Sequence, residues 1–133
     1  MNEHPNVAAV WRAFEAWNAG QIEALKGTFS EDAVLRFAGN NRMSGTYRGA
    51  DEVVDALLRA NQGGGPRADV KAVLASDDHV MVFFRATGER GGKSLDVVLA
   101  EAMKFDADGK MTEVWFLAND QAAYDEYWSS SPG

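Results

Sequence analysis

One stretch of this sequence decides its fold class: Leu95-Asp96-Val97-Val98-Leu99-Ala100-Glu101-Ala102-Met103-Lys104-Phe105. Side chains alternate between the two faces of a β-strand, so residues 95, 97, 99, 101, 103 and 105 share one face. This face is large and apolar except at Glu101. The opposite face is polar at its ends, with Asp96 and Lys104, and small in its middle. The pattern predicts a strand with one face turned to a hydrophobic core.

Three further stretches share this period of two and predict neighbouring strands: Val70–Ala75, Val80–Thr87 and Met111–Ala118. The breaks between the four strands carry turn formers: Asp77-Asp78, Gly91-Gly92 and Asp106-Ala107-Asp108-Gly109. Consecutive strands that are joined by short turns form an antiparallel meander.

The first half of the chain has helical periodicity instead. Helices are predicted over residues 6–18, 21–29 and 51–61, with a turn at 30–32, a first strand at 33–38, a loop at 39–49 and a connector at 62–66. A last helical turn or two begins near Asn119 or Asp120, either of which is a natural N-cap. Helices followed by a meander predict an α+β fold, and the length of 133 residues predicts one domain over residues 1–133.

Composition excludes several classes of function. The chain has no cysteine and two histidines, which argues against disulfides, thiolate zinc sites and histidine-rich metal sites. It lacks the glycine-rich loops that hold phosphates and dinucleotides, so no cofactor is expected. The formal charge of −7 makes nucleic acid a poor partner. No secretory signal and no apolar stretch of membrane-spanning length occurs, so we expect a soluble cytoplasmic protein without a membrane partner.

Glu101 is the first candidate for chemistry. A carboxyl group in an apolar wall is expected to have a raised pKa, because burial disfavours its charged form. Such a group acts as a general base near neutral pH, or stays protonated and donates a hydrogen bond. The structural alternative is that Glu101 pairs with an arginine such as Arg36 or Arg85, or reaches solvent at the edge of the sheet.

Apolar residues of both halves form a candidate wall of a substrate pocket around Glu101. They are Phe14, Trp17, Phe37, Leu57, Phe84, Leu99, Met103, Val114 and Phe116. The alternative is that these side chains fill the core completely. The opposite faces of two strands carry Phe83, Trp115 and Leu117, which predicts a surface for self-association.

The order of these elements resembles the nuclear transport factor 2-like superfamily, and its SnoaL-like branch most closely. The resemblance is carried by Trp17-Asn18-Ala19-Gly20, Phe29 with Asp32-Ala33, Gly45-Thr46-Tyr47-Arg48-Gly49, Met103-Lys104-Phe105-Asp106 with Asp108-Gly109-Lys110, and Glu113-Val114-Trp115-Phe116 followed by Asp120. It implies a cone-shaped barrel with a curved antiparallel sheet around the N-terminal helices, a deep apolar pocket and a homodimer through the outer sheet face.

For the chemistry, the resemblance to the ketosteroid isomerases of this superfamily covers one position of three. Glu101 falls where these enzymes have an acid of the oxyanion hole, whereas Ala13 and Phe37 stand near the places of their tyrosine and their aspartate base. The epoxide hydrolases of the superfamily need an aspartate near the position of Phe116.

Tyr47 is the second candidate for chemistry. It follows a glycine-containing loop near the expected mouth of the cone and is expected to begin a helix, so its phenol can donate a proton or bind a substrate oxygen. The alternatives are that Tyr47 only anchors the loop, and that Asn40, Asn41 and Arg42 either gate the mouth or are solvated turn residues.

Two functions therefore remain. The first is a cofactor-independent enzyme, of isomerase, cyclase or dehydratase type, in which Glu101 and Tyr47 move protons on a small apolar oxygenated molecule. The alternative is a non-catalytic dimeric domain of the same fold, which binds a ligand or assembles.

Overall fold

The computed structural model describes residues 4–60 and 66–129, and this part of the chain holds four helices and six strands. The helices are α1 (Pro5–Asn18), α2 (Ile22–Lys26), α3 (Ala50–Ala60) and α4 (Gln121–Trp128). The strands are β1 (Phe29–Phe37), β2 (Gly45–Arg48), β3 (Arg67–Ala75), β4 (His79–Arg90), β5 (Lys93–Phe105) and β6 (Met111–Ala118). None of these helices has the length and apolar character that crossing a membrane requires.

The six described strands form one curved sheet in the order β2-β1-β6-β5-β4-β3. The α+β class and the antiparallel meander of β3 to β6 are confirmed. The sheet is not antiparallel throughout, because β1 pairs with β6 in parallel. Parallel neighbours need a long crossover, and here the whole chain between β1 and β6 supplies it.

The predicted boundaries in the first half need three corrections. Residues 30–32 belong to β1 and not to a turn; they lie where the β1–β6 register shifts, between Phe29 and Val34. The predicted loop at 39–49 contains β2, and α2 ends at Lys26, earlier than predicted. Of the predicted helix and connector, residues 61–65 lie outside the described residues.

The hairpin between β4 and β5 sets the register of the strand that carries Glu101. Gly91 and Gly92 both have positive φ angles, of 57° and 79°, between the paired residues Arg90 and Lys93. A two-residue turn with two positive φ angles matches the right-handed twist of an antiparallel hairpin, and glycine adopts it without strain. This turn places Glu101 opposite Val82 of β4, and on the other side β6 pairs Phe116 with Glu101.

Helix α4 is held against the connection between β1 and β2. Its N-cap is Asp120, as predicted, whose side chain accepts a hydrogen bond from the backbone N–H of Ala123. One turn further along, the Asp125 carboxylate accepts from the backbone N–H of Asn40 and from Nδ2 of Asn41. A Cβ atom on Gly39 would collide with the ends of the Asp125 and Gln121 side chains, and the φ angle of Gly39 is 90°, so this position favours glycine.

Candidate functional site

A cavity of about 680 Å³ lies on the concave side of the sheet. Its walls come from α1, α3, α4 and the strands, and exposed residues such as Trp11, Arg67 and Ala68 lie at its rim. Eight of the described aromatic side chains line it: Trp11, Phe14, Trp17, Phe29, Phe37, Phe84, Phe116 and Tyr124. The core is therefore not completely filled, and the space beside Glu101 is large enough for a small molecule.

Most residues predicted for the pocket wall do line this cavity. They are Phe14, Trp17, Phe37, Leu57, Phe84, Leu99, Met103 and Phe116. Val114 does not; it is 3% exposed and lies in the core, between its register partners Leu35 and Met103. Whether the eight lining residues bind a substrate stays a prediction.

Glu101 lies on the wall of the cavity, on the same face of β5 as the buried residues Leu99 and Met103. Its side chain keeps a partly accessible surface, and this surface faces the cavity. Burial raises the pKa of Glu101 to about 7, because a low-dielectric surrounding penalises the charged form. The carboxyl group is thus close to half ionised at neutral pH.

No hydrogen bond or ion pair joins Glu101 to another of the described residues. The two arginines named as structural partners point elsewhere. Arg85 forms a two-point ion pair with Asp96, and Arg36 pairs with Glu113. The carboxyl group therefore has no polar partner within the described chain and is available to a ligand.

Tyr124 is a cavity residue that the sequence analysis did not single out. It lies on α4 and is 5% exposed. Burial raises the pKa of its phenol to about 12, and the negative charge of Glu101 adds to the rise, while the Trp128 side chain opposes it. Both residues line the same cavity, and the charge of Glu101 acts on the Tyr124 phenol across it. The sequence signal for this residue is the aromatic cluster Tyr124, Tyr127 and Trp128 on the last predicted helical turns.

Tyr47 lies elsewhere. The structure places it on β2, so the prediction that it begins a helix is wrong. Its hydroxyl donates a hydrogen bond to the carbonyl oxygen of Met43, at 2.9 Å, and its ring packs edge-on against Phe37. Tyr47 is absent from the described lining of the cavity. These contacts fit the alternative in which Tyr47 anchors the loop.

The loop residues near Tyr47 have structural partners as well. Asn40 and Asn41 bond to Asp125 of α4, and the Asn41 side chain also accepts from the backbone N–H of Met43. Within residues 4–60 and 66–129, His, Asp and Glu nowhere form a group of three or more that could hold a metal ion.

Comparisons with known proteins identify relatives along nearly the whole chain. Residues 10–114 match the family described as SnoaL-like domain. The solved structure of Bal32a, from a soil-derived mobile gene cassette, is 33% identical; the match covers 96% of this chain and 99% of that one, with a TM-score of 0.87. An uncharacterized protein of Mycobacterium tuberculosis is 28% identical over 132 residues, which are 97% of this chain and 100% of that protein.

A proposed SnoaL-like polyketide cyclase from Jannaschia sp. CCS1 has the same fold, with a TM-score of 0.79 and 24% identity. The match covers 98% of this chain and 95% of that one. At this identity the likeness concerns the fold and not the reaction.

Proposed function

Since this chain belongs to the SnoaL-like domain family, which includes polyketide cyclases and isomerases, we propose that it catalyses proton transfer on a small apolar oxygenated molecule. The proposed reaction is of isomerase, cyclase or dehydratase type and needs no cofactor. One observation carries the proposal: Glu101 stands without a described partner on the wall of an aromatic-lined cavity, with a pKa of about 7.

The proposed chemistry follows from that pKa. The ionised carboxylate takes a proton from a carbon next to a carbonyl group: the C–H bond breaks, an O–H bond forms on Glu101, and the electron pair moves to the carbonyl oxygen. The resulting enolate is reprotonated at another carbon, attacks a second carbonyl, or expels a hydroxyl group. A pKa near the working pH serves both halves of such a cycle, since the same group must accept and return the proton.

Tyr124 supplies the second role in this proposal. Its phenol is buried, lines the same cavity as Glu101 and stays protonated over the physiological range, so it is suited to donate a hydrogen bond to the substrate oxygen. We propose Tyr124, and not Tyr47, as the donor to the substrate, because the Tyr47 hydroxyl already donates to the carbonyl oxygen of Met43. We assign Tyr47 to holding the loop between β1 and β2.

The experiment that tests the proposal needs no knowledge of the natural substrate. 2-Tetralone is a small apolar ketone, and exchange of its α-protons for deuterium in D2O follows the first step by NMR. We expect wild-type protein to accelerate exchange above buffer and Glu101→Gln to lose about 10²- to 10⁴-fold of that rate. The matched control is Glu89→Gln, which removes an exposed glutamate of β4 outside the described lining of the cavity.

The outcomes separate the two candidate functions. Exchange by Glu101→Gln at the wild-type rate contradicts the proposal. A wild-type protein that binds 2-tetralone without exchanging its protons supports the alternative, a binding domain of the same fold.

A second copy of the chain is the partner we propose for the convex face of the sheet. Leu117, Ala100 and Phe83 follow one another in register across β6, β5 and β4, and Leu117 is 51% exposed. Beside this apolar row, Arg85 is neutralised by Asp96 and Arg36 by Glu113, so two identical faces meet without a large excess of like charge. The net charge of −7 further supports the proposal that nucleic acid is not a partner.

Analytical ultracentrifugation tests this arrangement. We expect wild-type protein to sediment as a dimer and Leu117→Lys to shift the equilibrium toward monomer, with Glu89→Lys as the control for an added cation. A wild-type monomer at all accessible concentrations contradicts the proposal.

A further inference from the structure

The charge of ionised Glu101 is not compensated by a cation of the described chain. The cause of its raised pKa is burial, and no lysine or arginine opposes it. Arg67 also lines the cavity, but it is exposed at the rim and its charge acts on the carboxylate of Asp69. An unpaired carboxyl group in an apolar site is neutralised either by a proton or by a cationic group that enters beside it.

The remaining walls also favour positive charge. The faces of aromatic rings carry partial negative charge and attract cations, most strongly for tryptophan. Trp11 and Trp17 lie on the α1 side of the cavity, and Phe37 and Phe116 stack with ring centroids 5.1 Å apart. An anionic ligand would meet like charge at Glu101, whereas a cationic ligand meets a carboxylate and π-electrons together.

We infer that the cavity selects an apolar ligand with a basic nitrogen, whose ammonium group lies beside the Glu101 carboxylate among the aromatic rings. This names the chemical class of a ligand for the same site, and it rests on the proposed function for the identity of the site. While the ammonium group is paired with Glu101, the carboxylate does not act as a base, so such a ligand competes with a ketone for the cavity.

The proton balance of this binding step is simple. A neutral amine that enters while Glu101 is protonated takes the carboxyl proton: the O–H bond breaks, an N–H bond forms with the nitrogen lone pair, and ammonium and carboxylate remain as a pair. An amine that is already protonated binds the ionised carboxylate directly. Either path ends in the same ion pair.

Phenyltrimethylammonium and tert-butylbenzene test the inference, because they differ in charge and hardly in shape. The cation keeps its charge at every pH, so it pairs only with ionised Glu101. Between pH 5.5 and 8.5 the ionised fraction of a group with a pKa of about 7 rises about 30-fold. We therefore expect the Kd of the cation to fall about 30-fold over this range, and that of tert-butylbenzene to fall far less.

We assign this pH dependence of cation binding to Glu101 among the ionisable residues of the described lining. The ionisable residues of the described lining besides Glu101 are Tyr124 on α4 and Arg67 on β3. Burial raises the pKa of Tyr124 to about 12, so its phenol stays protonated between pH 5.5 and 8.5. The parts of α1, α2, α3, β1, β4 and β6 that line the cavity contribute no ionisable side chain, and His4 and His79 lie outside the described lining.

Binding is followed by calorimetry and by the fluorescence of the tryptophans in the wall. Glu101→Gln imitates the protonated carboxyl, so we expect its affinity for the cation to be independent of pH and lower than that of wild type at pH 8.5 by at least about 30-fold. Glu89→Gln should match wild type. The pH series on wild type alone decides the matter if Glu101→Gln fails to fold.

Equal affinity for the cation and tert-butylbenzene at pH 8.5, no binding of the cation, or a flat pH series for wild type would overturn the inference. These measurements involve no turnover, so they are distinct from a failure of the proposed function. A protein that exchanges the protons of 2-tetralone and ignores the cation keeps the function and loses the inference.

Discussion

Two acidic residues of the same strand, Glu101 and Asp96, have opposite surroundings and opposite shifts of pKa. Both lie on β5, five positions apart, so their side chains point to opposite faces of the sheet. On the convex face, Asp96 accepts two hydrogen bonds from Arg85, which lower the pKa of its carboxyl group. On the concave face, Glu101 has no described partner and burial raises its pKa to about 7.

The contrast shows that position, and not residue type, decides what a carboxyl group can do. Asp96 has a partner on the neighbouring strand and is exposed, so it is an ordinary surface ion pair. Glu101 is placed by the same hairpin register on the wall of an apolar cavity, with no described cation beside it. An acid in such a place lowers the stability of the folded state when it ionises, and the proposed binding and catalysis would make use of this property.

The largest expected effect is on the pH dependence of the free energy of unfolding, and it tests this contrast directly. The folded pKa of Glu101, about 7, lies above its usual value of 4.5, so the folded state binds the proton more tightly than the unfolded state. Stability is therefore lost as pH rises from about 4.5 through 7, by about 3 kcal/mol. In urea unfolding, the free energy of unfolding of Glu101→Gln relative to that of wild type should rise by this amount between pH 4.5 and 8. An equal gain by Asp96→Asn would contradict the comparison, since a lowered pKa confines the effect of Asp96 on pH-dependent stability to pH values below this range.

The next effect concerns the rate of proton transfer. Exchange of the 2-tetralone α-protons, corrected for buffer, should rise about 30-fold between pH 5.5 and 8.5 as Glu101 ionises. Asp96→Asn should leave this profile unchanged, because its carboxylate is ionised throughout and faces the other side. A profile with its midpoint near 4.5 would show that the cavity does not perturb Glu101.

A smaller effect separates the two tyrosines. Tyr124→Phe removes the hydroxyl group that is proposed to donate to the substrate oxygen, and it should slow exchange about tenfold. A tenfold loss of rate corresponds to the free energy of about one hydrogen bond. Tyr47→Phe should leave the rate unchanged and lower the free energy of unfolding by about 1 kcal/mol, through loss of the bond to Met43. The reverse pattern would return the catalytic role to Tyr47.

The smallest effect is expected at the ion pair itself. Arg85 and Asp96 are exposed, so solvent and salt screen their attraction. At protein concentrations at which the chain is monomeric, Asp96→Asn should lower the melting temperature slightly at low ionic strength and not at all in molar salt. A large loss in the monomer that persists in salt would contradict the interpretation of this pair as an exposed one.

The sequence was sufficient where a regular period met a clear turn. The alternation along β5, which follows the Gly91-Gly92 turn, predicted the face of the sheet on which Glu101 lies. The apolar faces of the strands and helices predicted eight residues that line the cavity. It failed at β2, because four residues between turn formers show no period, and at residues 30–32, where polar side chains of a strand imitate a turn. The choice between Tyr47 and Tyr124 depended on long-range packing, which local patterns do not record.

The close approach at Gly39 has a practical consequence for redesign. This glycine lies outside the described lining of the cavity, yet it touches side chains of α4, the helix that carries Tyr124. A side chain at position 39 would have to displace the ends of Asp125 and Gln121, whose hydrogen bonds join α4 to the loop between β1 and β2. Substitution at position 39 is therefore expected to alter the cavity from a distance, without changing any residue that lines it.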